Sequence, residues 1–184
     1  MNLASFVNGV LSSATVATQL LTLFFCVLLF SRSARESLPR VMVFLKKRAL
    51  VLSFCAALVA LLGSLTYSDV LGYEPCKLCW IQRIFMYPQV LILGVALWKK
   101  DMSALLYGIV FSSIGGIVAL YHYMTQLGWN PLNLPCAAVG YSTSCAKVFV
   151  LNFGYITIPV MAFSVFAFIF TLTLIAYRGG TSSS

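Results

Sequence analysis

The sequence predicts an all-α integral membrane protein with five spanning helices, on three observations. Of its 184 residues 61% are hydrophobic and only 9% are charged, which leaves too little polar surface to cover a soluble globule, so its solvent is lipid. Crossing a bilayer takes roughly 20 mostly apolar residues, and five stretches reach that length: residues 3–30, 49–67, 80–98, 104–124 and 155–177. The third observation is the placement of charge. Nine of the twelve Lys and Arg residues (Arg32, Arg35, Arg40, Lys46, Lys47, Arg48, Lys99, Lys100 and Arg178) fall at alternate connections, on one side of the membrane. The positive-inside rule makes that side the cytoplasm and puts the N-terminus and the segments 68–79 and 125–152 outside. The net charge of +8 therefore reflects topology. Nothing interleaves these charges with exposed stacking aromatics, so nucleic acid is excluded as a partner.

The first span lacks the basic leader, the short apolar core and the small-residue cleavage site of a secretion signal, and it reads as a retained helix. Asn8, Ser12, Thr15, Gln19 and Thr22 recur at steps of four and three, which gathers them on one face. That stripe suits packing against the other helices; a docking face for another membrane protein is the alternative. The chain divides into this helix with a basic loop, 1–48, a core over 49–177, and a disordered tail over 178–184. Cys26 and Cys55, inside the first two spans near their cytoplasmic ends, read as small packing hydrophobes.

The most informative stretch opens the third span: Glu74-Pro75-Cys76-Lys77-Leu78-Cys79-Trp80-Ile81-Gln82-Arg83. Pro75 suits the first turn of a helix, where a missing N–H costs nothing. Cys76 and Cys79 then lie one turn apart near a helix N-terminus, whose partial positive charge favours a thiolate. Arg83, four residues past Cys79, projects beside it as a permanent cation. A dithiol with a stabilised thiolate is what reversible disulfide exchange needs. Arg83 also has a plainer reading, as a side chain snorkelling to the headgroups. Pro88 should kink the span and open space for a flat ligand.

Cys136 and Cys145 lie in the loop before the fifth span, so four cysteines face the oxidising side, where disulfides persist. Four cysteines could also hold zinc, but the C-x8-C spacing, in a loop with Pro131, Pro135 and Gly140, is not that of a zinc knuckle, and no metal is expected. Purely structural disulfides are the other alternative. His122, the single histidine, sits toward the outer end of the fourth span, where an ionisable residue serves as proton donor or ligand partner, or is simply solvated at the interface.

The run from Pro75 through Arg83 and on over Ile84-Phe85-Met86-Tyr87-Pro88 resembles the signature of the bacterial DsbB family, and its BdbC branch most. Phe153-Gly154-Tyr155-Ile156-Thr157-Ile158-Pro159 resembles the same branch at its last helix, so the likeness runs from about Lys47 to Tyr177. It implies a four-helix bundle, here with one additional N-terminal transmembrane helix, in the bacterial cytoplasmic (inner) membrane. The implied activity is reoxidation of an extracytoplasmic thioredoxin-like thiol oxidase with transfer of the electrons to a membrane quinone, ubiquinone or menaquinone. The resemblance makes Cys136 the residue attacked by the donor and Cys145 the relay to Cys76. It also sets Cys79 against the quinone with Arg83 stabilising its thiolate, and matches His122 to a histidine near the quinone site. Two departures stand out: the extra first span, and a short interval between Cys136 and Cys145. An enzyme of the vitamin K epoxide reductase type shares this chemistry, but there the C-x-x-C follows the loop cysteines instead of preceding them. A non-catalytic membrane subunit stapled by disulfides is the remaining alternative.

Overall fold

The computed structural model describes residues 2–129 and 144–180. They form α1 (Leu3–Phe30), a short α2 (Arg32–Ser37), α3 (Pro39–Leu65), α4 (Lys77–Lys99), α5 (Leu105–Gln126) and α6 (Ile158–Gly180), with no strand among the described residues. Five of these are long and apolar enough to cross a membrane.

Helices α3 to α6 close into a four-helix ring, and α1 lies against the outside of α6. Lipid offers no hydrophobic drive between helices, so close approach relies on small residues. Gly108 and Gly115, seven apart on α5, face α6: a Cβ would stand 2.9 Å from Thr173 at the first and would overlap the ring of Phe166 at the second. Any side chain at Gly115 would displace the fully buried Phe166. The polar stripe of α1 does the packing expected of it. Gln19 Nε2 donates to Ser164 Oγ at 3.0 Å, and Asn152 Nδ2 donates to Ser12 Oγ at 2.7 Å and to the Asn8 carbonyl at 3.1 Å. Cys26 Sγ lies 3.8 Å from Thr171 Oγ1, while Cys55 is exposed.

Helix bounds depart from the sequence reading at both ends of α3 and at both ends of α6. The basic stretch expected as a loop is helical, because α3 starts at Pro39 and carries Arg40, Lys46, Lys47 and Arg48 in its first turns. Proline at the first helical position is harmless, and hydropathy cannot register a helix that continues past the apolar slab. At its other end α3 runs on into a π turn, Thr66–Val70. The last span begins at Ile158, three residues later than expected, since Phe153 (φ 51°) and Gly154 (φ 78°) turn the chain left-handed and Asn152 pairs with Ile156. It also continues to Gly180, through part of the expected tail. Pro88 lies inside α4 as read; Gln89 Nε2 donates to the Phe85 carbonyl at 2.9 Å and its Oε1 accepts from Ser112 at 3.1 Å, so side chains supply polar partners around the broken ladder.

Candidate active site

Cys76 is the N-cap of α4, in extended conformation, and Lys77 is the first helical residue. Pro75 therefore precedes the cap; it is not in the first turn. The reason lies in the cysteine itself, whose Sγ accepts from the backbone N–H of Cys79 at 3.4 Å, the bond a capping oxygen would ordinarily accept. That contact folds the two side chains together: the sulfurs are 3.2 Å apart, and both are free thiols. Bonding them requires an approach of only about 1 Å.

Behind Cys76 lies a buried polar group. His122 Nε2 stands 3.5 Å from Cys76 Sγ and 3.2 Å from the carbonyl oxygen of Cys145, and its Nδ1 is 2.9 Å from Gln82 Nε2. An amide nitrogen can only donate, so Nδ1 accepts and the ring proton is on Nε2, facing both cysteines. Cys76, Gln82, His122 and Cys145 are all buried. Cys145 is disulfide-bonded; Cys136, with Pro131, Pro135 and Gly140, lies outside the described residues. The fold thus holds one end of a disulfide against a reduced dithiol, with one imidazole touching both.

This arrangement holds the Cys76 thiol well below the ordinary thiol range. As a thiolate it accepts from the Cys79 S–H and then from His122, and burial only partly opposes them. His122→Phe removes one donor from the thiolate, so the pKa of Cys76 must rise. The pH midpoint for alkylation of Cys76, followed by mass spectrometry, is expected to move up by about one unit; an unmoved midpoint would show that His122 has no hold on the thiolate.

On the other side of the pair is a cavity of about 170 Å³, walled by α1, α3, α4, α6 and residues 73–75. Cys79, Gln82, Arg83, Ser64 and Glu74 are among its polar residues, and most of its surface is apolar. Arg83 is tied to α3: its Nε donates to Ser64 Oγ at 3.0 Å and its Nη2 to the Ser64 carbonyl at 3.1 Å, and the guanidinium lies 5.1 Å from the Trp80 ring centroid. Tyr87 steadies the same serine, its hydroxyl donating to Ser64 Oγ at 3.3 Å. These contacts fix the Arg83 guanidinium at the cavity wall, where Glu74 is also a lining residue.

His122, expected beside the bound quinone, is not among the cavity walls. It belongs to α5, none of whose residues reach the cavity, and it serves the opposite face of the pair. Gln82 and Ser64, which orient His122 and Arg83, were not singled out in the sequence. A glutamine inside an apolar span, three residues past Cys79, was the available signal for the first; a serine near a helix end offers none. Cys76, Cys79 and His122 present ligand atoms within 4.8 Å of one another, enough for a three-ligand metal group.

Comparison with known families decides the class. A family model described as Disulfide bond formation protein DsbB matches residues 46–176. The chain belongs to the DsbB family. Similar proteins include a "Probable disulfide formation protein" of Oceanobacillus iheyensis, 47% identical over 129 residues that make up 70% of this chain and 88% of that one. A "Probable disulfide formation protein C" of Halalkalibacterium halodurans is 43% identical, covering 68% of this chain and 90% of its own. The "SPbeta prophage-derived disulfide bond formation protein B" of Bacillus subtilis is 41% identical, covering 70% and 84%. No solved structure matches. As a DsbB-family member with five membrane-length helices, the protein is a multi-pass membrane oxidoreductase of disulfide formation. Every candidate site residue falls within the matched region, and α1 precedes it.

Proposed function

We propose that this DsbB-family protein reoxidises an extracytoplasmic thioredoxin-like thiol oxidase and delivers the electrons to a membrane quinone, ubiquinone or menaquinone. The membrane is the bacterial cytoplasmic one, with the four cysteines on its outer side. The observation that carries this reading is the two-faced C-x-x-C: Cys76 meets Cys145 through His122, while Cys79 opens with Arg83 into an apolar cavity.

In this reading a thiolate of the donor attacks Cys136 of a Cys136–Cys145 disulfide, and the donor's second thiol resolves the adduct. The donor leaves oxidised, and the loop pair holds two electrons and two protons as thiols. Cys145, as thiolate, attacks Cys76 of the oxidised Cys76–Cys79 pair and releases Cys79 as thiolate. Cys136 then attacks Cys145, restoring the loop disulfide and freeing Cys76. The state reached, with Cys76 and Cys79 as thiols and Cys145 in a disulfide, has the bonding pattern of this structure. The Nε2–H of His122 steadies the Cys76 thiolate in each exchange, and its bond to the Cys145 carbonyl holds the loop at the distance of attack. Arg83 provides the fixed positive charge opposite Cys79.

The cavity suits a quinone ring. Roughly 150 Å³ of apolar space takes up one benzene, against the 170 Å³ found here, and a flat carbonyl-bearing ring gains from a cation held at the wall. A quinone bound there accepts two electrons and two protons as the Cys76–Cys79 disulfide re-forms. The test is turnover by the purified protein with a reduced thioredoxin-like donor and a short-tailed quinone, read from quinone absorbance. Sustained turnover that needs all four cysteines is expected. A protein inert toward quinone in that assay would instead carry disulfides that only staple its loop.

A further inference from the structure

Helix α1 lies outside the DsbB-matched region, yet it is a wall of the cavity. Leu11, Ala14, Thr15 and Thr18, at spacings of three, one and three, form one helical face, and all four line it. The rotation of α1 that presents this face is set by the adjacent polar stripe. Gln19 donates to Ser164 and accepts from the Tyr155 hydroxyl at 2.8 Å, and Ser12 accepts from Asn152. Thr15 and Thr18 donate to the carbonyls of Leu11 and Ala14, each at 2.8 Å, so their hydroxyls are satisfied within the helix.

Opposite this face stands α3. Leu11 Cδ2 lies 3.6 Å from where a Cβ on Gly63 would be, so a leucine leans on a glycine across the α1–α3 gap. Farther along the two helices, toward the middle of the span, Ala14 and Val59 line the cavity and both are exposed, Val59 at 57%. The gap is therefore closed at Leu11–Gly63 and open to the bilayer between Ala14 and Val59.

We propose that α1 is a specificity element of the quinone site: its Leu11–Ala14–Thr18 face sets which quinone rings fit, and the Ala14–Val59 opening is the portal through which the ring enters and the isoprenoid tail leaves. The inference rests on the reading of the cavity as the quinone site. A four-helix core alone would leave the α3–α6 side of the cavity facing mobile lipid; here that side is protein, with fixed shape. Discrimination by an apolar wall is steric, and a methylene more or less is felt as a modest factor in kcat/KM.

The test uses full-length protein with a short-tailed benzoquinone and a short-tailed naphthoquinone as probes. Ala14→Trp places an indole in the portal. It is expected to raise KM for both quinones at least about tenfold while reduction of the loop disulfide by the donor stays near normal. Ala14→Leu, a milder insertion for the case where tryptophan disturbs folding, is expected to raise KM roughly threefold and unequally for the two probes. Gly9→Trp is the control: it lies on the same helix, where an added Cβ meets nothing within 4 Å, and it should leave KM within about twofold. Values within twofold for both Ala14 variants would overturn the proposal. Arg83→Met measured alongside separates the two levels of inference. If it weakens quinone reduction while the Ala14 variants are silent, only the role of α1 falls; if it is silent as well, the cavity is not the quinone site.

Discussion

Arg83→Met is expected to lower kcat/KM for quinone on the order of a hundredfold, the usual cost of removing one preorganised charged donor from a low-dielectric site. Exchange between the donor and the loop disulfide should stay within about twofold, because that chemistry occurs on the opposite face of the cysteine pair. The guanidinium makes two hydrogen bonds to Ser64 and lies over Trp80, so it is held at the cavity wall before any ligand arrives. Methionine keeps the apolar stem and occupies similar space, which limits the packing loss. An arginine that served only to anchor α4 to α3 would show a different pattern: both half-reactions would fall together, in proportion to the folded fraction. Pre-steady-state mixing of the fully reduced variant with quinone, and separately of the oxidised variant with reduced donor, measures the two on the same preparation. An unchanged quinone rate in well-folded Arg83→Met would remove Arg83 from the site.

The fold was legible because membrane insertion writes itself in composition. Residues 3–30 were bounded to the residue, since the stretch carries no charged residue and ends where Arg32 begins the basic run. Where the signal failed, its carrier was not hydropathy. The early start of α3 depends on a proline and charged residues that a helix tolerates once it leaves the lipid, and the late start of α6 depends on two left-handed residues. The site shows the same division. The proximity of Cys76, Cys79 and Arg83 follows from spacing on one helix, which a sequence displays directly. The position of His122 does not, because it depends on which face of α5 turns toward α4. The fold aims His122 at Cys76 and Cys145, away from the cavity. Likewise the stripe on α1 could be read as a packing surface, but the cavity wall of Leu11, Ala14, Thr15 and Thr18 mixes one stripe residue with its neighbours, and no pattern in the sequence marks it.

Cys145→Ala is expected to abolish turnover and, when mixed with the disulfide form of the donor, to capture that donor as a mixed disulfide on Cys136 as the donor's second cysteine leaves as a thiolate. The wild-type exchange ends because a neighbouring thiol resolves each intermediate. In the proposed relay Cys145 is the group that links the loop to Cys76, and it stands at 1% exposure beside Cys76 and His122. Without it, Cys136 has no intramolecular partner: Cys76 and Cys79 are engaged with each other, and Cys26 and Cys55 lie within the apolar spans, remote in sequence and in depth. A donor disulfide exchanging onto Cys136 then has only its own second thiol to release it, and a donor whose single active cysteine is supplied as a mixed disulfide with a small thiol leaves an adduct that nothing resolves. The adduct should be visible on a non-reducing gel, disappear with dithiothreitol, and be absent in the Cys136→Ala/Cys145→Ala double variant. A structural staple predicts otherwise. Its loss would expose Cys136 without selectivity, giving dimers and adducts with any small thiol, and would leave the donor unbound at stoichiometric concentration. The adduct's identity therefore separates relay from staple, and its dependence on Cys136 names the sulfur that meets the donor.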